Sequence, residues 1–132
     1  MLRGLAVWFL IVIAESVHGT LREIFLAPRV GAELSGRIGW PVALVIVFVI
    51  ALILAKWVGL RQSAGLLRLG LVWAALTFVF EIGVGFARGF DGARIMTEIN
   101  PFAEGLMLYS LLAMVFAPLA AARLRGLTAP VA

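Results

Sequence analysis

The reading of this chain turns on residues 5–28, "LAVWFLIVIAESVHGTLREIFLAP". The first ten residues of the stretch are apolar enough to lie in lipid, but Glu15, Ser16, His18, Thr20, Arg22 and Glu23 follow before apolar residues resume. Either the segment ends at this polar patch, or a single helix carries an acid, a histidine and an arginine through its middle. Leu21, Ile24, Phe25 and Leu26 continue the apolar pattern beyond the patch, which predicts one helix over residues 5–26. At 1.5 Å per residue such a helix is about 33 Å long, enough to cross a hydrocarbon layer of roughly 30 Å. Glu15 then falls near the centre. Arg3 ahead of the apolar run and "AES" behind it also outline a secretory leader with a cut near Ser16, but the apolar residues after the patch favour an uncleaved helix.

Composition points the same way. The 132 residues are 64% apolar and 14% charged, and the mean hydropathy of +1.12 lies far outside the soluble range. This predicts an integral membrane protein of one domain, residues 1–132, embedded in a lipid bilayer. The chain contains no cysteine, so thiolate catalysis, disulfide exchange, iron–sulfur clusters and cysteine-type zinc sites are excluded. A formal charge of +4 would suggest nucleic acid for a soluble domain; here basic residues at span ends explain it through topology, and no nucleic-acid partner is expected.

Four apolar segments, 5–26, 40–58, 66–87 and 104–122, predict an all-α, integral membrane four-helix bundle. The runs are continuous and rich in Leu and Ala, unlike the alternation of a membrane β-barrel. With four spans both termini share one side together with the 59–65 turn. That side carries Arg3, Lys56, Arg61, Arg68, Arg123 and Arg125 and no acid, whereas the acids Glu23, Glu33, Asp91, Glu98 and Glu104 fall on the other. The predicted location is a bacterial-type inner membrane with both termini cytoplasmic. "GLRQSAG" reads as a tight helical hairpin turn. The two longer connections, "RVGAELSGRIGWP" and "RGFDGARIMTEINPF", read as outer loops with short interfacial helices or caps. Trp8, Trp40 and Trp57 fall near span ends, where indoles favour the interface, and Trp73 lies deeper, as packing.

The candidate site follows from helical geometry. At 100° per residue Glu15, His18, Gly19 and Arg22 fall within an arc of about 100°, and Gly70, Ala74, Thr77, Glu81, Gly85 and Arg88 within about 80°. The first and third spans run in the same direction and place Glu15 and Glu81 at comparable depths. The second span has no polar side chain between Val42 and Ala55, and the fourth offers Glu104 at its entrance, Tyr109 and Ser110 below it, and Pro118 near its inner end. A charge at the bilayer centre costs at least about 2.5 kcal/mol, and such groups mostly lie on ion or substrate paths. The predicted ligand- or proton-binding residues are therefore Glu15, His18, Arg22, Thr77, Glu81, Arg88, Glu104 and Tyr109.

Several chemistries fit this set. Glu15 or Glu81 can exchange a proton against a small substrate with His18 completing a relay. Glu15 and His18 at i and i+3, with Glu81, form half of a carboxylate–histidine metal pattern, although one histidine supplies only one such half. Tyr109, His18 and Glu15 can serve a lipid-like or quinone-like ligand by acid–base work. Against these stands a structural reading in which Glu15, Glu81, Arg22 and Arg88 balance one another as an ion network that fixes helix register. No catalytic motif and no cofactor motif is read. The two functional expectations are a membrane protein that binds a small ligand, with proton-coupled transport, and an accessory or scaffolding subunit. Either would be homo-oligomeric or part of a larger membrane complex.

Four spans and a membrane glutamate in the first helix resemble the small multidrug resistance transporters, in which such a glutamate carries protons and drugs in a dimer. The likeness is architectural, and this chain adds His18 and Arg22 to the same face and a second acid at Glu81. "AESVHGTLRE" and "FEIGVGFARG" are similar to segments of an uncharacterised family of small four-span bacterial inner-membrane proteins, a likeness that implies no activity.

Overall fold

A computed structural model of the chain describes residues 2–89, 91–93, 96 and 107–128. Among these residues the fold is an all-α four-helix bundle without strands. Helix α1 covers Leu2–Leu21, a π-helical turn Arg22–Leu26, α2 Ala27–Val30, α3 Ala32–Val58, α4 Ser63–Ala87 and α5 Met107–Leu124. The stretches Leu2–Val30, Ala32–Val58 and Ser63–Ala87 are long and apolar enough to cross a membrane. The apolar part of the fourth helix, Leu108–Leu124, is shorter; the start of the span expected at 104–122 lies outside the described residues.

The first segment does continue through its polar patch, as its apolar tail requires. The π turn has a cause in the sequence. Pro28 has no N–H to give to the Ile24 carbonyl and its ring would crowd that carbonyl, so the preceding turn widens, with the Ala27 N–H bonded to the Arg22 carbonyl. The helix stops only at Gly31, whose φ of 90° and ψ of 155° suit glycine and almost nothing else.

Two expectations are corrected here. The predicted outer loop before Pro41 is helical from Ala32, because the residues read as loop formers find helical uses. Glu33 and Arg37, one turn apart, form a 3.0 Å ion pair, Ser35 is buried, and Pro41 is accommodated within α3. The second correction concerns the turn between α3 and α4, which is not a simple hairpin joining side-by-side helices. α5 packs along both α3 and α4 and lies between them, while α1 packs chiefly on α3.

Small residues make this order possible. A Cβ on Gly70 would overlap the Val115 carbonyl oxygen, so α4 and α5 meet backbone to backbone there. A Cβ on Gly4 would overlap Leu69, and the Trp73 indole N–H donates to the Gly4 carbonyl at 2.9 Å, which ties α4 to the start of α1. The core formed by Val7, Ile11, Ala51, Ala55, Leu69, Trp73, Met114, Ala117 and Ala121 is displaced toward the end where both termini lie. Trp73 is packing, as its depth predicts.

That end is also tied by arginines. Arg3 donates to the Trp57 carbonyl at 3.2 Å and lies 5.5 Å from the Trp57 ring, and Arg125 donates to the carbonyls of Leu52 and Ile53 at 3.0 and 3.2 Å. The far end is joined by a different contact. Arg88, at the end of α4, donates to Glu23 in the π turn at 2.7 Å.

Candidate functional site

Adjoining the core, toward the end away from the termini, the four long helices line a half-open cavity of about 350 Å³. α1 contributes Glu15; α3 contributes Ala43, Leu44, Val47 and Phe48; α4 contributes Thr77 and Glu81; α5 contributes Ser110, Ala113, Met114, Phe116, Ala117 and Ala120. Among the described residues the lining is apolar apart from two carboxylates and two hydroxyls and contains no cationic side chain. Its size falls within the range of small-molecule sites, roughly 300–1,000 Å³.

The local sequence explains why these groups meet. Glu15 continues the inward stripe of α1 that begins with the buried residues Gly4, Val7 and Ile11. Thr77 and Glu81 are one turn apart on the stripe of α4 that includes Gly70. Ser110 leads a run of small residues, with Ala113, Ala117 and Ala120, and these leave room where larger side chains would fill the space.

Hydrogen bonds fix the hydroxyls. The Trp8 indole N–H donates to the Thr77 hydroxyl at 2.9 Å, and that hydroxyl donates to the Met114 sulfur at 3.0 Å, so one chain of contacts links α1, α4 and α5. The Trp40 indole N–H donates to the Ser110 hydroxyl at 2.6 Å and links α3 to α5. Glu15 differs from both. Its Oε1 is buried and has no hydrogen-bond partner among the described residues, and its Oε2 stands 3.9 Å from His18 Nδ1, beyond hydrogen-bond length. Glu81 is exposed at the cavity rim.

The eight expected site residues therefore separate. Glu15, Thr77 and Glu81 come together on one cavity. His18 is half-buried beside Glu15 but does not line the cavity, and the relay geometry expected of it is not formed. Arg22 is laid across Gly39 of α3, where an added Cβ would stand 2.7 Å from both its Cδ and its Nη1, and it forms no ion pair with Glu15. Arg88 belongs to the Glu23 pair at the far end and does not line the cavity. Tyr109 is 48% exposed and off the cavity, while its neighbour Ser110 lines it. Glu104 lies outside the described residues. Among the described residues no group of three or more His, Asp or Glu is placed to hold a metal ion, so Glu15, His18 and Glu81 are not assembled as ligands.

Sequence reasoning missed Trp8, Trp40 and Met114. Trp8 precedes Glu15 by seven residues, two helical turns, and so shares its face; that signal was available. Trp40 was assigned to the interface because it stands beside the segment expected to begin at 40, but with α3 starting at Ala32 it lies two turns inside the helix. Met114 carries no polar signature and gave no cue. Comparison with family models, with curated proteins and with solved structures returns no match.

Proposed function

We propose that this chain is a small membrane protein whose interior cavity binds a small, largely apolar ligand bearing a cationic or hydrogen-bond-donating group, and exchanges that ligand against a proton at Glu15. One observation carries the reading: Glu15, whose buried Oε1 has no donor among the described residues, lines a mostly apolar cavity. Buried polar atoms are nearly always satisfied, and those left unsatisfied need an explanation, of which a missing ligand is one. A cationic ligand and a proton can each occupy the same carboxylate, and competition between them is the elementary step of exchange. Binding and release against a proton would give the behaviour of the small multidrug resistance transporters, which the chain resembles in outline.

The setting proposed for this activity is a bacterial-type inner membrane. Both termini are assigned to the cytoplasm, because Arg3, Lys56, Arg61, Arg68, Arg123 and Arg125 lie in short segments close to the helix ends, where basic residues weigh most in orientation. The far end then opens toward the other side of the membrane, and a second copy or a larger membrane complex would cover part of the apolar exterior.

The second reading, an accessory or scaffolding subunit, is favoured by the direct polar ties at both ends of the bundle, Arg88 to Glu23 and Arg125 to the α3 carbonyls. One titration separates the two. Trp8 and Trp40 donate to cavity-lining hydroxyls, so their fluorescence reports on occupancy. Benzyltrimethylammonium should change the emission saturably, and its neutral carbon isostere neopentylbenzene should bind at least about tenfold more weakly, as loss of one charged contact implies. Glu15→Gln should remove the difference while helix content stays constant. Equal binding of cation and isostere, or an unchanged preference in the variant, overturns the ligand reading and favours the scaffold.

A further inference from the structure

The end of the bundle where the termini lie has a property that the cavity does not explain. Residues 1–4, 56–68 and 122–132 carry Arg3, Lys56, Arg61, Arg68, Arg123 and Arg125 and no aspartate or glutamate. At the far end cations are matched by acids, as in Arg37 with Glu33 and Arg88 with Glu23. Here there is nothing acidic to match. Two of the six are occupied by the protein itself, since Arg3 and Arg125 give their N–H groups to carbonyls near the end of α3. The side chains of Lys56, Arg61, Arg68 and Arg123 are exposed and form no hydrogen bond or ion pair among the described residues.

Three of these four stand around one apolar cluster. Leu66, Leu119 and Ala122 pack together with Leu60, Leu67 and Leu127. Arg61 follows Leu60, Arg68 follows Leu67 and Arg123 follows Ala122, so the connection, the start of α4 and the end of α5 each carry an exposed arginine next in sequence to a residue of this cluster. Exposed cations at the ends of long apolar helices fit a molecule with an anionic head and a hydrocarbon body. The position at the ends of helices long enough to span a bilayer is also the depth at which lipid headgroups lie.

We propose that this end is a binding surface for anionic phospholipid headgroups, with Arg61, Arg68 and Arg123 as its principal contacts and Lys56 beside them. Guanidinium forks pair with phosphate through two parallel hydrogen bonds, and the connection, α4 and α5 each bring one to this end of the bundle. The surface attracts an acidic lipid and leaves a zwitterionic one without advantage. It is independent of the cavity and of any ligand there.

The test uses the full chain in detergent micelles doped with equal amounts of phosphatidylglycerol and phosphatidylcholine, with retained lipid counted by native mass spectrometry. Phosphatidylglycerol should be retained in excess. Combined Arg61→Gln, Arg68→Gln and Arg123→Gln should reduce the excess by up to about fivefold per residue, while the matching Arg→Lys set, which keeps the charge and loses the fork, should fall between wild type and the glutamine set. Arg29→Gln with Arg37→Gln at the far end should leave it unchanged. Equal retention of the two lipids, an excess indifferent to the triple glutamine variant, or an excess lost with Arg29 and Arg37 would overturn the assignment. So would full displacement of phosphatidylglycerol by inorganic phosphate, which would make the surface a phosphate site and not a lipid site. Helix content measured on every variant separates loss of binding from loss of fold.

Discussion

Replacing Gly70 by alanine tests the contact that sets the helix order. The alanine Cβ would overlap the Val115 carbonyl oxygen, with the Val115 carbonyl carbon 2.6 Å and Cα 2.9 Å away, all of it backbone of α5. Ordinary carbon contacts begin near 3.5 Å, so α5 must retreat from α4 by about 1 Å, and a gap of that size forfeits up to about half of the dispersion energy of the facing atoms. Those atoms include the packed side chains of Leu69, Trp73, Met114 and Ala117. Forced expansion of a close-packed core costs about 1–3 kcal/mol, and backbone against backbone leaves no side chain to swing away, so the upper part of that range is expected. Against this, alanine gains about 0.5–1 kcal/mol over glycine within a helix. Gly83 on the same helix is the control, because a Cβ there meets nothing within 4 Å. Equilibrium unfolding in mixed micelles, followed by tryptophan fluorescence, should place Gly70→Ala about 1–2 kcal/mol below wild type and Gly83→Ala at or slightly above it. Two variants of equal stability would refute the close approach of α4 and α5 and the helix order built on it.

Two further outcomes follow from the polar contacts. In a double-mutant cycle of Glu23→Gln and Arg88→Gln, the coupling should be about 0.2–1 kcal/mol, since both side chains are half exposed, at 50% and 53%, and exposed pairs contribute little; a coupling near 3 kcal/mol would mean that the pair is the main tie between α1 and α4. Trp8→Phe removes the donor to the Thr77 hydroxyl and should cost about 1 kcal/mol in the same unfolding assay. The loss should be smaller in a Thr77→Val background, and full additivity would show that the two groups do not interact.

The long apolar helices were legible because apolar composition and length dictate them, and the polar patch did not deceive because apolar residues resume at Ile24. That residues 32–40 run on into α3 instead of forming a separate interfacial helix or cap was not legible. Gly36 and Gly39 signal a loop in isolation, but here a glycine at 39 is what leaves space for the Arg22 side chain. Neighbour relations were also hidden, since a four-residue connection suggests adjacent helices and only the small face of α5 places that helix between α3 and α4. The face occupied by Glu15, Thr77 and Glu81 could be read from helical periodicity alone. Which arginines would accompany the acids could not, because a long side chain reaches any of several neighbours and periodicity fixes only where it starts. The choice of Tyr109 over Ser110 weighed chemistry above spacing; Ser110, Ala113 and Ala117, at i, i+3 and i+7, mark the inward face and exclude Tyr109.

The departure of the arginines from the acids bears on why the cavity exists. A structural ion pair of Arg22 with Glu15 would satisfy that carboxylate and let the helices pack without a void. Instead Arg22 lies over Gly39 and Arg88 meets Glu23 at the far end, while alanines at 43, 113, 117 and 120 hold back the wall opposite the carboxylates. Large apolar residues at those four positions would close the space at little cost to a bundle whose terminal end is already sealed by Trp73, Leu69 and Ile11. Small residues facing an unsatisfied carboxylate forgo that packing, and room for a ligand is the physical use to which the arrangement is suited.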